Sequence, residues 1–141
     1  MHCPAPRRPL VLLSVPLCAV ALAACGKTVS TSGFQGPQHE VAQTISNLQA
    51  DATAGEQKKV CANDVSATVV AKLGGAKGCE AAIKSQLAEV DSLEVSIQSV
   101  TVAPGGATAS ANVKSTVGGK TRRGTVSLVK EGKAWKISAV Q

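Results

Sequence analysis

Leu93-Glu94-Val95-Ser96-Ile97-Gln98-Ser99-Val100-Thr101-Val102 is the stretch on which the reading of the fold turns. Leu93, Val95 and Ile97 alternate with Glu94, Ser96 and Gln98, the period of two that sets apolar side chains on one face of a strand. The phase slips at Ser99, after which Val100 and Val102 carry the apolar series, and such a slip predicts a bulge that bends a long strand. The same alternation recurs downstream. Pro104-Gly105-Gly106 marks a turn, and Ala107, Ala109, Ala111 and Val113 then alternate with Thr108, Ser110, Asn112 and Lys114. Gly118-Gly119 precedes a third strand over residues 121–129, with Val126 and Leu128 on one face. Glu131-Gly132-Lys133 leads into a fourth over residues 134–140, where alternation groups Trp135, Ile137 and Ala139. Short turns between consecutive strands predict an antiparallel meander.

Upstream the apolar period is close to four. Val41, Ile45, Leu48 and Ala52 predict a first helix, interrupted by Gly55. Val65, Val69, Val70 and Leu73 predict a second, ended by Gly74-Gly75, and Ile83, Leu87 and Val90 lie on one face of a third. Helices followed by a meander imply an α+β domain, its helices packed on one face of the sheet. Residues 26–38 hold only Val29 and Phe34 as apolar side chains and read as a flexible tether, so the domain is expected over residues 39–141.

The start of the chain has a different logic. Residues 1–9 carry Arg7 and Arg8 without an acid, and an apolar run over residues 10–21 follows, the n-region and h-region of a secretory signal. The run is shorter than the roughly 20 apolar residues of a membrane-spanning helix. It closes on Leu22-Ala23-Ala24-Cys25-Gly26, which resembles the lipobox of bacterial lipoproteins: an aliphatic residue, two small ones and the cysteine. Cys18 fits less well, because Leu17 is too large for the position beside the cut. The resemblance implies a signal peptide over residues 1–24 removed before Cys25, a diacylglyceryl group on the Cys25 thiol, and further acylation of the palmitate kind. A lipidated Cys25 and a tether to residue 38 place the domain on the extracytoplasmic face of a cell membrane, or on the outer membrane of a Gram-negative source. Two or more acyl chains hold a protein stably on a bilayer, which one does not.

Five cysteines occur in the 141 residues. Cys3 and Cys18 leave with the signal and Cys25 is consumed by lipid, so Cys61 and Cys79 are left to pair outside the cytoplasm. A metal or redox site there is disfavoured, since no CxxC is present and His39 is the only histidine after the signal. The 15 Lys and Arg against 9 Asp and Glu become 13 against 9 without Arg7 and Arg8, a net of +4 that suits solubility as well as an anionic neighbour. Phe34 and Trp135 are the only aromatic residues, which removes the stacking platforms of single-strand nucleic-acid binders.

The domain resembles small lipoproteins with a cystatin-like or nuclear-transport-factor-two-like cone fold. The resemblance spans about residues 41–140 and rests on helices followed by a curved sheet, cysteines that frame the second helix, the run Thr108-Ala109-Ser110-Ala111-Asn112-Val113, and the closing Gly132-Lys133-Ala134-Trp135-Lys136-Ile137. It implies a cone of N-terminal helices on a curved four-stranded antiparallel sheet. Enzymes of that shape, similar to polyketide cyclases and isomerases, keep an Asp, His or Tyr inside the cone, whereas the inward positions here read Ala, Val, Leu, Ile and Trp. Asp51, Asp64 and Asp91 fall near helix ends, where aspartate caps backbone groups. His39 beside Glu40 reads as a solvated helix start, and no Gly-x-Ser-x-Gly occurs.

Lys120, Arg122 and Arg123 form the densest basic cluster and are the candidates for contact with an anionic surface. Alternation sends Arg122 and Arg123 to opposite faces, so exposed-strand charges that discourage edge pairing are the reading preferred for them. The sequence thus reads as a lipid-anchored, non-enzymatic binding or docking module of the cell envelope, without cofactor, metal or nucleic acid. Its expected partners are the membrane through Cys25 and an envelope protein or small apolar ligand. The alternatives are a small cone-fold enzyme acting on an apolar molecule, and a passive spacer.

Overall fold

The computed structural model describes residues 29–88 and 93–141; the signal segment, the lipobox with Cys25, and Val90 and Asp91 lie outside the described residues. Helix α1 runs over Gly36–Thr53, three residues earlier than the expected start of the domain at His39. Pro37 in its first turn explains the early start: proline's fixed φ suits a helix, and its missing N–H is not needed there. The stretch read as tether is already part of the packing, for Val29 is only 5% exposed and Phe34 packs on the main core. Val41, Ala42, Ile45, Gln49 and Ala52 form the buried stripe of α1. Gly55 ends the helix with φ at 71°; its N–H bonds to the Ala52 carbonyl while the Glu56 N–H reaches back to that of Asp51. This is the paired closure that a left-handed glycine makes available at a helix end.

One helical turn, α2 over Gln57–Lys59, widens into a π turn over Val60–Asp64, closed by the Val65 N–H on the Val60 carbonyl at 3.1 Å. Val65 itself is extended. It was expected to open the second helix, but it forms a parallel bridge with Ile137, and the Ser66 N–H donates to the Ile137 carbonyl at 2.9 Å. Ser66 then caps α3 (Ala67–Lys72) by accepting from the Val69 N–H, the satisfaction that an N-terminal turn requires. Helix α4 (Gly75–Ala88) follows at once. A disulfide joins Cys61 of the π turn to Cys79 of α4, as expected, with α3 between the two cysteines.

The strands are β1 (Leu93–Val102), β2 (Thr108–Val117), β3 (Lys120–Glu131) and β4 (Ala134–Val140), in one antiparallel sheet of order β1-β2-β3-β4. Helices followed by this meander make the chain α+β, and the sheet is not closed into a barrel. The expected bulge in β1 lies between Ile97 and Ser99, so Val95 and Ile97 before it and Val100 and Val102 after it all pack on the main core. A second irregularity was not read from the sequence. Leu128 pairs with Ile137 but Ser127 pairs with Ala139, which leaves Ser138 as an extra residue. The bulge reverses the phase of β4, so Val140 rather than Ala139 lies opposite the buried Val126 and follows Trp135 and Ile137 on the inner face.

Among the described residues two clusters make up the core. The larger joins Val41, Ala42 and Ile45 of α1 to Val100, Ala111, Val113, Val126, Leu128, Trp135 and other strand residues. The smaller gathers Ala52, Val60 and Val65 with side chains of α3, α4 and the start of β1.

Candidate functional site

The smaller cluster does not fill its own space. Leu48 of α1, Val69 of α3, Ile83 and Leu87 of α4, Leu93 of β1 and Ile137 of β4 line a groove of about 360 Å³ between the helices and the sheet. Gln86 and Ser138 are the polar residues among its lining, and the surface it offers is almost wholly apolar. Leu73 and Val140, 38% and 67% exposed, are the large hydrophobic side chains left open to solvent among the described residues, and both belong to this groove. Their exposure has local causes. Leu73 is where α3 stops before two glycines with positive φ, and the Ser138 bulge turns Val140 toward the groove. A volume of this size with a few polar groups falls in the range of sites that take small molecules.

A second, polar depression of about 320 Å³ brings together residues considered one by one in the sequence: His39, Glu40, Asp64 and Trp135, with Asn47 and Lys133. His39 and Glu40 are exposed at the start of α1, as expected of a solvated helix start. Trp135 is 3% exposed and belongs to the core; its Nε1 donates to Glu40 Oε2 at 3.2 Å, and Lys130 lies 5.4 Å from the ring centre and 3.5 Å from the same carboxylate.

Asp64 departs from its expected role. Instead of a solvated cap it is a carboxyl only 2% exposed, with one oxygen, Oδ2, that lacks a hydrogen-bond partner among the described residues. Burial is the main reason its pKa is pushed up to about 7, the Asp51 carboxylate adds to the rise, and the Lys136 ammonium opposes it. The sequence places Asp64 near a helix end as a cap, and its burial in the fold corrects that expectation. Lys136 donates to the carbonyls of Ala62 and Asn63, which the end of the π turn leaves free, and so sits against Asp64 from β4. Asp51 belongs to the last turn of α1, partly buried.

Lys120, Arg122 and Arg123 are exposed at the start of β3. Among the described residues no cluster of three or more His, Cys, Asp or Glu side chains could hold a metal ion, and no helix is long and apolar enough to cross a membrane. No protein-family model matches the chain, and no curated protein or solved structure matches it either.

Proposed function

We propose that this chain is an extracytoplasmic lipoprotein, anchored through lipid on Cys25, whose domain binds a small apolar ligand in the groove between α3, α4 and β4. The observation that carries the reading is the unfilled apolar groove with Leu73 and Val140 exposed on it. An apolar space open to water favours an apolar guest, because hydrocarbon surface on both sides leaves water together. Leu93 and Val140, from the two edge strands, both line the groove, which supports a strongly bent sheet of the cystatin-like kind with the helices on its hollow side. Catalysis is not needed for this role, as no titratable side chain is among the described residues that line the groove.

Two measurements test it. Cys25→Ala should move the protein from the membrane fraction to the soluble fraction; continued tight membrane association would overturn the anchor. Titration with a fluorescent apolar probe should show saturable binding that Val140→Asp weakens about tenfold or more, the effect of about 1.4 kcal/mol. Absence of saturable binding would overturn the ligand reading. Asp64 supports a second reading, a small enzyme of the cyclase or isomerase kind, since a carboxyl that titrates near neutrality can hand a proton back and forth. Under that reading Asp64→Asn abolishes the cellular phenotype while fold and membrane attachment persist.

A further inference from the structure

The strand register places cations where the sequence alone did not. Val126 and Leu128 face the core, so the same alternation along β3 sets Lys120 and Arg122 on the inner face and Arg123 on the outer. Cross-strand pairing extends this into rows. Leu93 of β1 lies opposite Val117 of β2, which lies opposite Lys120; Val95 lies opposite Ser115, which lies opposite Arg122. Residues directly paired across a sheet share a face, so Lys120 and Arg122 stand on the same hollow side as Leu93, at the end of the sheet where the apolar groove reaches β1. Both are exposed, and neither enters an ion pair among the described residues. Glu94 and Arg123 fall in rows on the opposite face.

We infer that the groove's ligand is an anionic single-chain lipid, its hydrocarbon held against Leu73, Leu87 and Val140 and its acidic headgroup met by Lys120 and Arg122. This rests on the apolar-ligand reading above and adds the charge of the guest. An apolar trough with two cations on the same face of the sheet, two strands across from Leu93 and Val95, is complementary to a molecule with one hydrocarbon tail and one negative head, and a guanidinium in particular matches a carboxylate or phosphate in a bidentate manner. A neutral hydrocarbon would leave those cations unused, and an anion without a tail would leave the groove empty.

The test uses the full chain carrying Cys25→Ala, so that no acyl anchor of its own competes, and compares cis-parinaric acid with its methyl ester by fluorescence titration. The acid should bind about tenfold tighter than the ester at low salt, the difference that one desolvated charge contact of about 1.4 kcal/mol supplies. Lys120→Glu with Arg122→Glu should erase that preference and leave ester binding as it was, while Arg123→Glu on the other face should leave both unchanged. Equal affinity for acid and ester, or an equal effect from Arg123→Glu, overturns the headgroup assignment and leaves the apolar groove standing. Failure of both probes to bind overturns the groove reading as well. The three substituted positions are exposed, and a melting temperature unchanged from the parent confirms that each variant is folded.

Discussion

Asp64 keeps its proton at pH values where an ordinary aspartate has lost it, and that difference couples folding to pH. Its pKa lies near 7 in the fold against about 3.8 for a free side chain, so between those values the unfolded chain releases a proton that the folded chain retains. Stability at this group is therefore highest at acid pH and falls as pH rises through the window from about 4 to about 7. Asp64→Asn keeps the shape and removes the titration. It should flatten the pH dependence of stability over that window and stabilise the domain at pH 8 by about 1–3 kcal/mol, because the amide does not carry the buried charge that the carboxylate has at that pH. Chemical denaturation across pH 4–8 measures both; a parental slope that survives in the variant would assign the dependence to another group. The sequence held only part of the signal. Val60, Cys61 and Val65 bracket Asp64 with apolar side chains, yet the π turn that aligns it with the buried residues has no recognisable spacing. Gln49 is a comparable case: it lies on the α1 stripe, 6% exposed, and its Oε1 accepts the Val95 N–H of β1 at 3.1 Å. Its polarity hid it from a reading based on apolar periodicity, though its place in the period did not.

At the scale of elements, regular strands were legible and irregular joints were not. The four strands and their turns followed from alternation and glycine pairs, because a half-buried strand writes its two faces into the sequence directly. Helix α3 was displaced because Val65 is apolar at helical spacing but spends its backbone on Ile137 instead. The segment between α1 and α4 has little regular structure of its own, with α2 a single turn and α3 only six residues long, and this makes the covalent clip to α4 important. Cys61 and Cys79 are 18 residues apart, and closing a loop of this order contributes about 3 kcal/mol in the chain-entropy model. Cys61→Ala with Cys79→Ala should lower the unfolding free energy by about that amount. Hydrogen exchange should rise first in the π turn, α3 and α4, and the β2–β3 ladder should stay protected. Uniform loss of protection over the whole chain would show that the helical layer and the sheet unfold as one unit. The candidate groove belongs to this same layer, so the double variant should also weaken apolar-probe binding before it unfolds the sheet.

For the molecule as a whole, fold class was readable because the helical and strand periods occupy separate halves of the chain. The groove was not, since its lining comes from α1, α3, α4, β1 and β4, and only the three-dimensional arrangement reveals that Leu48, Leu73, Leu93 and Val140 enclose space in place of filling it. The meander has a consequence for the order of assembly. Each strand is bonded to its neighbour in sequence, so the sheet can zip from its turns with little loop-closure entropy, whereas the Val65–Ile137 bridge and the docking of Ile45 beside Leu128 join distant parts of the chain. The sheet is therefore expected to form ahead of the helical layer. A chain synthesised from its N-terminus offers the helices first, and their cover stays incomplete until Trp135 and Ile137 have emerged. Ile45→Val should then mainly accelerate unfolding, while Val113→Ala should mainly slow folding. Stopped-flow chevrons distinguish the two, and equal effects on both limbs would place helix and sheet in one nucleus. A late-arriving last strand means that a translation product ending before Ala134 leaves the apolar stripe of α1 without the cover of Trp135 and Ile137, a molecule suited to capture by chaperones rather than to residence at a membrane.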